Sequence, residues 1–173
     1  SLGIALVTRG NLGTTPISSL PLVSSYATNL TFGETTFLIN LLFVAAQWVL
    51  LRRSINKVLL LAQIPITLAF SYFIDTSMKF TEFLSSDVYW KCFAVSMLGN
   101  VVLGLGVALE VFSGAAALPG EGLVLAVSTV LHKPFSSVKI ANDVILVLLA
   151  LLLSYCVFHG IRGLRAGTVI SAL

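Results

Sequence analysis

Four long stretches without a charged side chain constrain the fold of this chain more than any other feature of its sequence. A helix needs about 20 apolar residues to cross the ~30 Å hydrocarbon core of a bilayer. Each stretch approaches that length, and short segments that carry charges separate them. We therefore predict four spanning helices, over Thr35–Leu51, Val58–Ile74, Cys92–Leu109 and Val144–Phe158.

The amino-acid composition excludes a water-soluble domain. Hydrophobic residues make up 57% of the 173 positions and charged residues only 10%, whereas soluble domains carry about 25% charged residues. The mean hydropathy is +1.02, and a soluble domain of this size could not bury that much apolar surface. We predict an all-α, polytopic transmembrane helical bundle whose surroundings are the lipid bilayer.

The charge pattern excludes nucleic acid as a partner. The net charge is +3, but the basic residues lie at the ends of apolar segments and form no stripe of the kind that binds phosphates. Basic residues that flank apolar helices are typical of membrane proteins.

No sequence motif predicts catalysis. The chain has no HExxH, GxSxG or Walker motif, and it has no cluster of Cys and His at metal-binding spacing. Cys92 and Cys156 each lie alone in an apolar stretch, which does not support a disulfide framework. We therefore expect a protein that is not an enzyme and that requires no metal and no cofactor.

Two proline-containing stretches, Gly10–Thr28 and Gly114–Lys133, differ from the spanning pattern. Each begins with small residues, reaches a proline, and continues with about 12 helix-compatible residues, which is short for a span. Proline is favoured in the first turn of a helix, where its missing N–H is not needed. We predict an unwound segment and then a short helix that begins near Pro16 or Pro119, and we expect Pro21 to kink or divide the first one.

The two halves of the chain correspond. A shift of 103 positions aligns Pro16 with Pro119, Phe32 with Phe135, and Asn40 with Asp143, without a gap. We predict an internal duplication with one transmembrane repeat in residues 1–80 and another in residues 88–173. Because the chain begins and ends within apolar sequence, we expect the first repeat to be truncated at its N-terminus and the second at its C-terminus.

The relative orientation of the repeats stays open. Basic residues follow the long helix of each half, in Arg52–Lys57 and in Arg162–Arg165. If both clusters are cytoplasmic, the repeats are parallel; if the short helices are re-entrant, the repeats are inverted. Counting charges favours parallel repeats, although that arrangement puts the basic residues of His132–Lys139 outside.

The interrupted helices predict a substrate-binding site. Non-helical backbone at membrane depth must be buried in protein or line a wet cavity, and interrupted helices at matching places in two halves are typical of transporters. The N-terminus of each short helix also favours an anionic group. The alternative is a pair of packing kinks satisfied by nearby hydroxyl groups. The predicted site residues are Asn11, Thr14, Thr15, Ser18, Ser19, Asn40, Pro119, Gly120, Glu121, Gly122 and Asp143.

Three charged residues each have two interpretations. Glu121 either caps the second short helix or serves as a proton or cation site within the membrane. Asp143 either belongs to the substrate site or forms an i,i+4 ion pair with Lys139. Arg9 either anchors a helix at the membrane interface or lies beside the first break, where it would bind an anion.

Four motifs resemble a known family. RGNLGTTPISSLP and the following LTFGETTFLINLL resemble the first half of bacterial YczE/YitT-type membrane proteins, and ALPGEGLVLAVS and GIRGLRAGTVISA are similar to segments of their second half. Leu118 replaces the usual glycine before the second proline. The resemblance implies a multi-pass protein of the bacterial cytoplasmic membrane that acts as a transporter.

The leading hypothesis from the sequence is a small-molecule transporter with its substrate bound between the two repeats. One alternative is the substrate-binding subunit of an energy-coupling-factor-like transporter, which requires partner subunits. Another is a membrane scaffold or assembly factor, which would tolerate substitution of Glu121 and Asp143. The expected partners are the bilayer and a small molecule, together with further copies of the chain or other transporter subunits.

Overall fold

The computed structural model describes residues 1–10, 13–51, 57–84, 89–113 and 118–159. Within these ranges the regular secondary structure is entirely helical. The elements are α1 (Leu2–Arg9), α2 (Pro16–Ala27), α3 (Phe32–Leu51), α4 (Lys57–Phe80), a 3₁₀ turn (Glu82–Leu84), α5 (Tyr89–Ser113), α6 (Pro119–Leu131) and α7 (Phe135–Phe158).

All four predicted spans are helices, and each helix extends beyond the uncharged stretch that predicted it. The extensions include Asp75 and Asp143, whose carboxylates are held by hydrogen bonds or an ion pair. Four of the described helices are long and apolar enough to cross a membrane, namely α3, α5, α7 and most of α4. The chain is thus a multi-pass helical membrane protein.

The two short helices begin where the sequence predicts. Pro16 and Pro119 are the first residues of α2 and α6, and the residue before each proline has an extended backbone. The predicted division at Pro21 is wrong, because α2 continues through that residue. The buried neighbours Leu22 and Val23 hold this part of α2 in the bundle, which offsets the one backbone hydrogen bond that proline removes.

The bundle buries polar side chains and exposes apolar ones, the reverse of a soluble protein. On α3, Thr36, Asn40 and Gln47 are buried, whereas Leu42 is 67% exposed and Val49 is 63% exposed. The facing helix α4 shows the same arrangement. Lipid around the bundle accounts for this pattern, since apolar side chains facing the bilayer need no protein cover.

Helices α3 and α4 run antiparallel. At one end the Gly33 N–H donates to Asp75 Oδ1 at 2.7 Å, and at the other end Gln47 Nε2 donates to Gln63 Oε1 at 3.2 Å. We name the two ends of the bundle after α3. The Phe32 face is the end where α3 begins, and the Leu51 face is the end where it finishes.

Helices α1 and α5 also run antiparallel, in close contact through glycine. A Cβ atom on Gly3 would lie 2.6 Å from the Leu103 nitrogen, and one on Gly99 would lie 2.7 Å from the Val7 nitrogen. Small residues allow such close approach of helices in lipid. Because α5 follows α4 from the Phe32 face, α5 runs toward the Leu51 face and α1 runs toward the Phe32 face.

Helix α2 runs toward the Phe32 face, and α7 runs in the same direction. The α2–α3 turn reverses the chain, and Thr35 Oγ1 donates to the Pro21 carbonyl at 2.9 Å. Val23, late in α2, packs against Val147 and Ala150 of α7, while Lys139, early in α7, lies beside the start of α2. Helix α7 therefore begins at the Leu51 face.

The starts of the two short helices lie against each other inside the bundle. A Cβ atom on Gly120 of α6 would overlap the Ile17 side chain of α2. Helix α6 ends at His132, whose left-handed backbone (φ 53°) turns the chain directly into α7. Since α7 begins at the Leu51 face, α6 and α2 point from this junction toward opposite faces.

Candidate functional site

A cavity of about 760 Å³ lies where α2 and α6 begin. All seven described helices contribute to its wall, and α5 contributes Val102, Leu103, Gly106 and Val107 from the half nearer the Leu51 face. The cavity therefore extends from the middle of the bundle toward that face. Most of the wall is apolar, and its polar side chains are few. They are Ser1, Thr15, Ser18, Thr36, Asn40, Glu121 and Lys139.

The start of α2 presents an N-terminus without a side-chain cap. Thr15 has an extended backbone, and its hydroxyl donates to Ser18 Oγ at 2.8 Å instead of accepting a bond from a backbone N–H. The Ser19 hydroxyl donates to the Pro16 carbonyl. No acidic residue occurs in this first turn. The positive end of the helix dipole thus faces the cavity without a carboxylate from α2 itself.

Asn40 is a buried amide on the cavity wall. Its side chain is only 8% exposed, and it lines the cavity. Among the residues that the structure describes, the Asn40 side chain has no hydrogen-bond partner. Buried amides almost always have hydrogen-bond partners. Of the polar groups in the wall, Asn40 is therefore the one at which we most expect a bound ligand or water.

The start of α6 is held by two glutamines. Gln47 Nε2 donates to the Pro119 carbonyl at 3.0 Å, and Gln47 and Gln63 exchange hydrogen bonds between their amides. A Cβ atom on Gly122 would lie 2.7 Å from Gln47 Oε1, so a side chain there would displace this pair. Glu121 occupies the first turn of α6 and lines the cavity.

An ion pair lies on the α7 side of the cavity. Lys139 Nζ lies 3.1 Å from Asp143 Oδ1, with the lysine side chain 31% exposed and the aspartate side chain 10% exposed. The i,i+4 interpretation of Asp143 is therefore confirmed. Lys139 itself lines the cavity, whereas Asp143 lies behind it.

Near the Phe32 face a smaller cavity of about 390 Å³ is lined by Arg9 and Asp75. Arg9 Nη2 donates to the Met78 carbonyl at 2.9 Å and so ties α1 to α4. Asp75 accepts hydrogen bonds from Thr31 Oγ1 at 2.6 Å and from the Gly33 N–H. These contacts join α1, α3 and α4 at the Phe32 face, whereas the start of α2 lines the larger cavity.

The family described as "Family of unknown function (DUF6198)" matches residues 1–173. The chain belongs to the DUF6198 family. No curated protein and no solved structure matches it.

In this DUF6198 member, the predicted site residues take three kinds of position. Thr15, Ser18, Asn40 and Glu121 line the large cavity. Asp143 does not line the cavity but is paired with Lys139, which does. Asn11 lies outside the described residues. The others are buried in the packing around the two helix starts, namely Thr14, Ser19, Pro119, Gly120 and Gly122.

Three residues of this candidate site were missed from the sequence. Gln47 and Gln63 support the start of α6, and Lys139 contributes the ammonium group of the cavity wall. A signal for the glutamines was present, because Gln63 is the one amide of Val58–Ile74 and Gln47 is one of two in Thr35–Leu51, and intramembrane polar groups are commonly paired or functional.

Proposed function

We propose that this protein transports a small molecule across the bacterial cytoplasmic membrane, with the substrate bound in the large cavity between its two halves. One observation carries the proposal: the proline-started ends of α2 and α6 meet at a single cavity inside the bundle. Non-helical backbone at this depth persists where it is buried or lines a cavity. Paired helix breaks of this kind mark the substrate sites of many transporters.

Helix directions support inverted rather than parallel repeats. Under the 103-residue shift, α1 corresponds to the end of α5, α2 to α6, and α3 to α7. Each of these pairs runs in opposite directions. The halves also exchange partners, since α2 packs on α7 and α6 packs on α3. Two inverted halves around one site allow alternating access by rocking of one half against the other.

The contacts at the two faces support one open side and one closed side. The cavity extends toward the Leu51 face, whereas Arg9 and Asp75 tie helices together at the Phe32 face. Opening the Phe32 face in the transport cycle would break the bond between Arg9 and the Met78 carbonyl. The resemblance to YczE/YitT-type proteins agrees with the bacterial membrane location.

The test is a ligand screen by thermal unfolding of the purified full-length chain in lipid nanodiscs. A ligand that binds only the folded protein raises its melting temperature by mass action. Hits are repeated on Gly106→Phe, which adds a ring at a cavity-lining position where a Cβ meets no atom within 4 Å. The matched control is Gly104→Phe, at an equally open position of α5 that does not line the cavity.

A ligand whose stabilisation is lost in Gly106→Phe and kept in Gly104→Phe, and which moves across proteoliposomes containing the protein, would support the proposal. Binding without flux, together with co-purification of ATPase subunits, would favour a binding subunit instead. No stabilising ligand among amino acids, carboxylates, amines, vitamins and inorganic ions would favour a scaffold.

A further inference from the structure

We infer that the cavity binds an apolar organic monoanion, with its carboxylate held between the start of α2 and the Asn40 amide. The inference rests on the proposed function and names the chemical class of the substrate at that same site.

The start of α2 offers a place for a negative charge that α2 itself leaves unfilled. Its first turn has neither an acidic residue nor a side-chain cap, although the first N–H groups of a helix attract anions. The start of α6 differs, since Glu121 lies in its first turn and complements the dipole of that helix. An anionic ligand therefore has its complementary helix end at α2.

Asn40 supplies a second, independent indication at the same level of the bundle. Ile17 of α2 and Phe43 of α3 both lie beside Gly120, and Thr35 bonds the Pro21 carbonyl. Asn40 lies between Thr35 and Phe43 along α3, and it is therefore opposite the first turn of α2. The residue is 8% exposed, lines the cavity, and has no side-chain hydrogen-bond partner among the described residues. The amide N–H is a suitable donor to a carboxylate.

The two halves of the chain differ in how their matching polar residues are paired. Asp143, which matches Asn40 in the repeat, has its own partner in Lys139. Asn40 has no equivalent partner, because the position that matches Lys139 is Thr36, whose hydroxyl donates to the Phe32 carbonyl. The polar site that a ligand would complete is therefore the one in the first half.

The rest of the cavity wall fits an apolar body. Phe43, Ile66, Phe70 and Leu103 line it, and about 760 Å³ is within the range of cavities that hold drug-sized molecules. A ligand with one carboxylate and an aromatic or branched aliphatic body would use both the polar end and the apolar wall.

The test uses three probes with the same body and different head groups: 3-phenylpropanoate, 3-phenylpropan-1-ol and 3-phenylpropylamine. Binding to the full-length chain in nanodiscs is measured by calorimetry and by the shift in melting temperature. We expect the acid to bind best. Asn40→Leu should weaken its binding roughly 10- to 100-fold through loss of a hydrogen bond to a charged group, and Asn40→Asp should shift the preference to the amine.

The matched control is Asn100→Leu. This amide in α5 donates to the Ser96 carbonyl at 3.0 Å and does not line the cavity, so the affinity for the acid should not change. The Asn40→Asp variant keeps the side-chain size and guards against an effect of misfolding.

Tighter binding of the alcohol or the amine, abolished by Gly106→Phe, would overturn the monoanion while leaving a ligand site in the cavity. Acid binding that is equal in Asn40→Leu and Asn100→Leu would overturn the role of Asn40. Failure of all three probes to bind would overturn the inference, and if the wider ligand screen also gave no hit that depends on Gly106, the proposed function would fail as well.

Discussion

Gln47 of α3 and Gln63 of α4 form a reciprocal pair of amide hydrogen bonds inside the bundle, at 3.2 and 3.3 Å. Gln47 also donates to the Pro119 carbonyl at 3.0 Å. A single buried side chain thus connects the packing of the two long helices to the first residue of α6. The geometry of the cavity depends on this connection, because α6 begins at the cavity wall.

We predict that Gln47→Leu lowers the free energy of unfolding by about 2 kcal/mol or more, because it leaves the Gln63 amide and the Pro119 carbonyl buried without a partner. The Gln47→Leu/Gln63→Leu double variant should lose less than the sum of the two single variants, since no amide then remains unsatisfied. The measurement is denaturant unfolding in mixed micelles followed by tryptophan fluorescence. Strictly additive losses would contradict the paired arrangement.

Gly33 of α3 lies in close contact with α4. A Cβ atom there would overlap the Ser71 carbonyl and lie 2.6 Å from Asp75 Cγ. We predict that Gly33→Ala destabilises the fold by about 1–3 kcal/mol through overpacking. Gly104→Ala is the control. A Cβ atom at this position meets no atom within 4 Å. The free energy of unfolding should therefore be unchanged or raised by up to ~1 kcal/mol, because alanine has a higher helix propensity than glycine. Equal melting temperatures for the two variants would argue against the close α3–α4 contact.

Removing one partner of the Lys139–Asp143 pair should be worse than removing both. Lys139→Met leaves the Asp143 carboxylate, on a side chain that is 10% exposed, without its cation. The loss should stay below the ~3–5 kcal/mol of a fully buried pair, because the lysine side chain is 31% exposed. Lys139→Met/Asp143→Leu should recover part of the loss. The measurement is the unfolding midpoint of the unmodified protein and of the two variants, and a double variant that is less stable than Lys139→Met would show that the carboxylate has another role.

The turns after the two short helices should lie on opposite sides of the membrane. Single cysteines at Asn29 and Lys133, in a chain with Cys92 and Cys156 replaced by alanine, can be labelled with an impermeant maleimide in oriented vesicles. We expect labelling from opposite sides, because α2 and α6 point from their common junction toward opposite faces. Labelling of both positions from the same side would restore the parallel arrangement.

Much of the fold was predictable from local sequence. An uncharged stretch of sufficient length has few alternatives to a membrane helix, since each backbone polar group must be satisfied within the segment. Pro16 and Pro119 likewise fixed the starts of the short helices, because proline fits the first turn and removes a hydrogen bond elsewhere. Because a charge is costly in lipid, the sequence predicts that the second span ends before Asp75. In the folded bundle Thr31 and Gly33 hold its carboxylate, and α4 continues past it.

The sequence by itself determined that the chain is a bundle of membrane helices with two proline-started short helices, because those features depend on residues close together in the chain. Only the tertiary structure decided that α2 and α6 begin at one cavity, that Asn40 faces it without a partner, and that Asp143 is withdrawn behind Lys139. These relationships join positions about a hundred residues apart. They depend on the direction of each helix and on which of its faces points into the bundle. The hydropathy of the sequence determines neither property, because every span is apolar around most of its circumference.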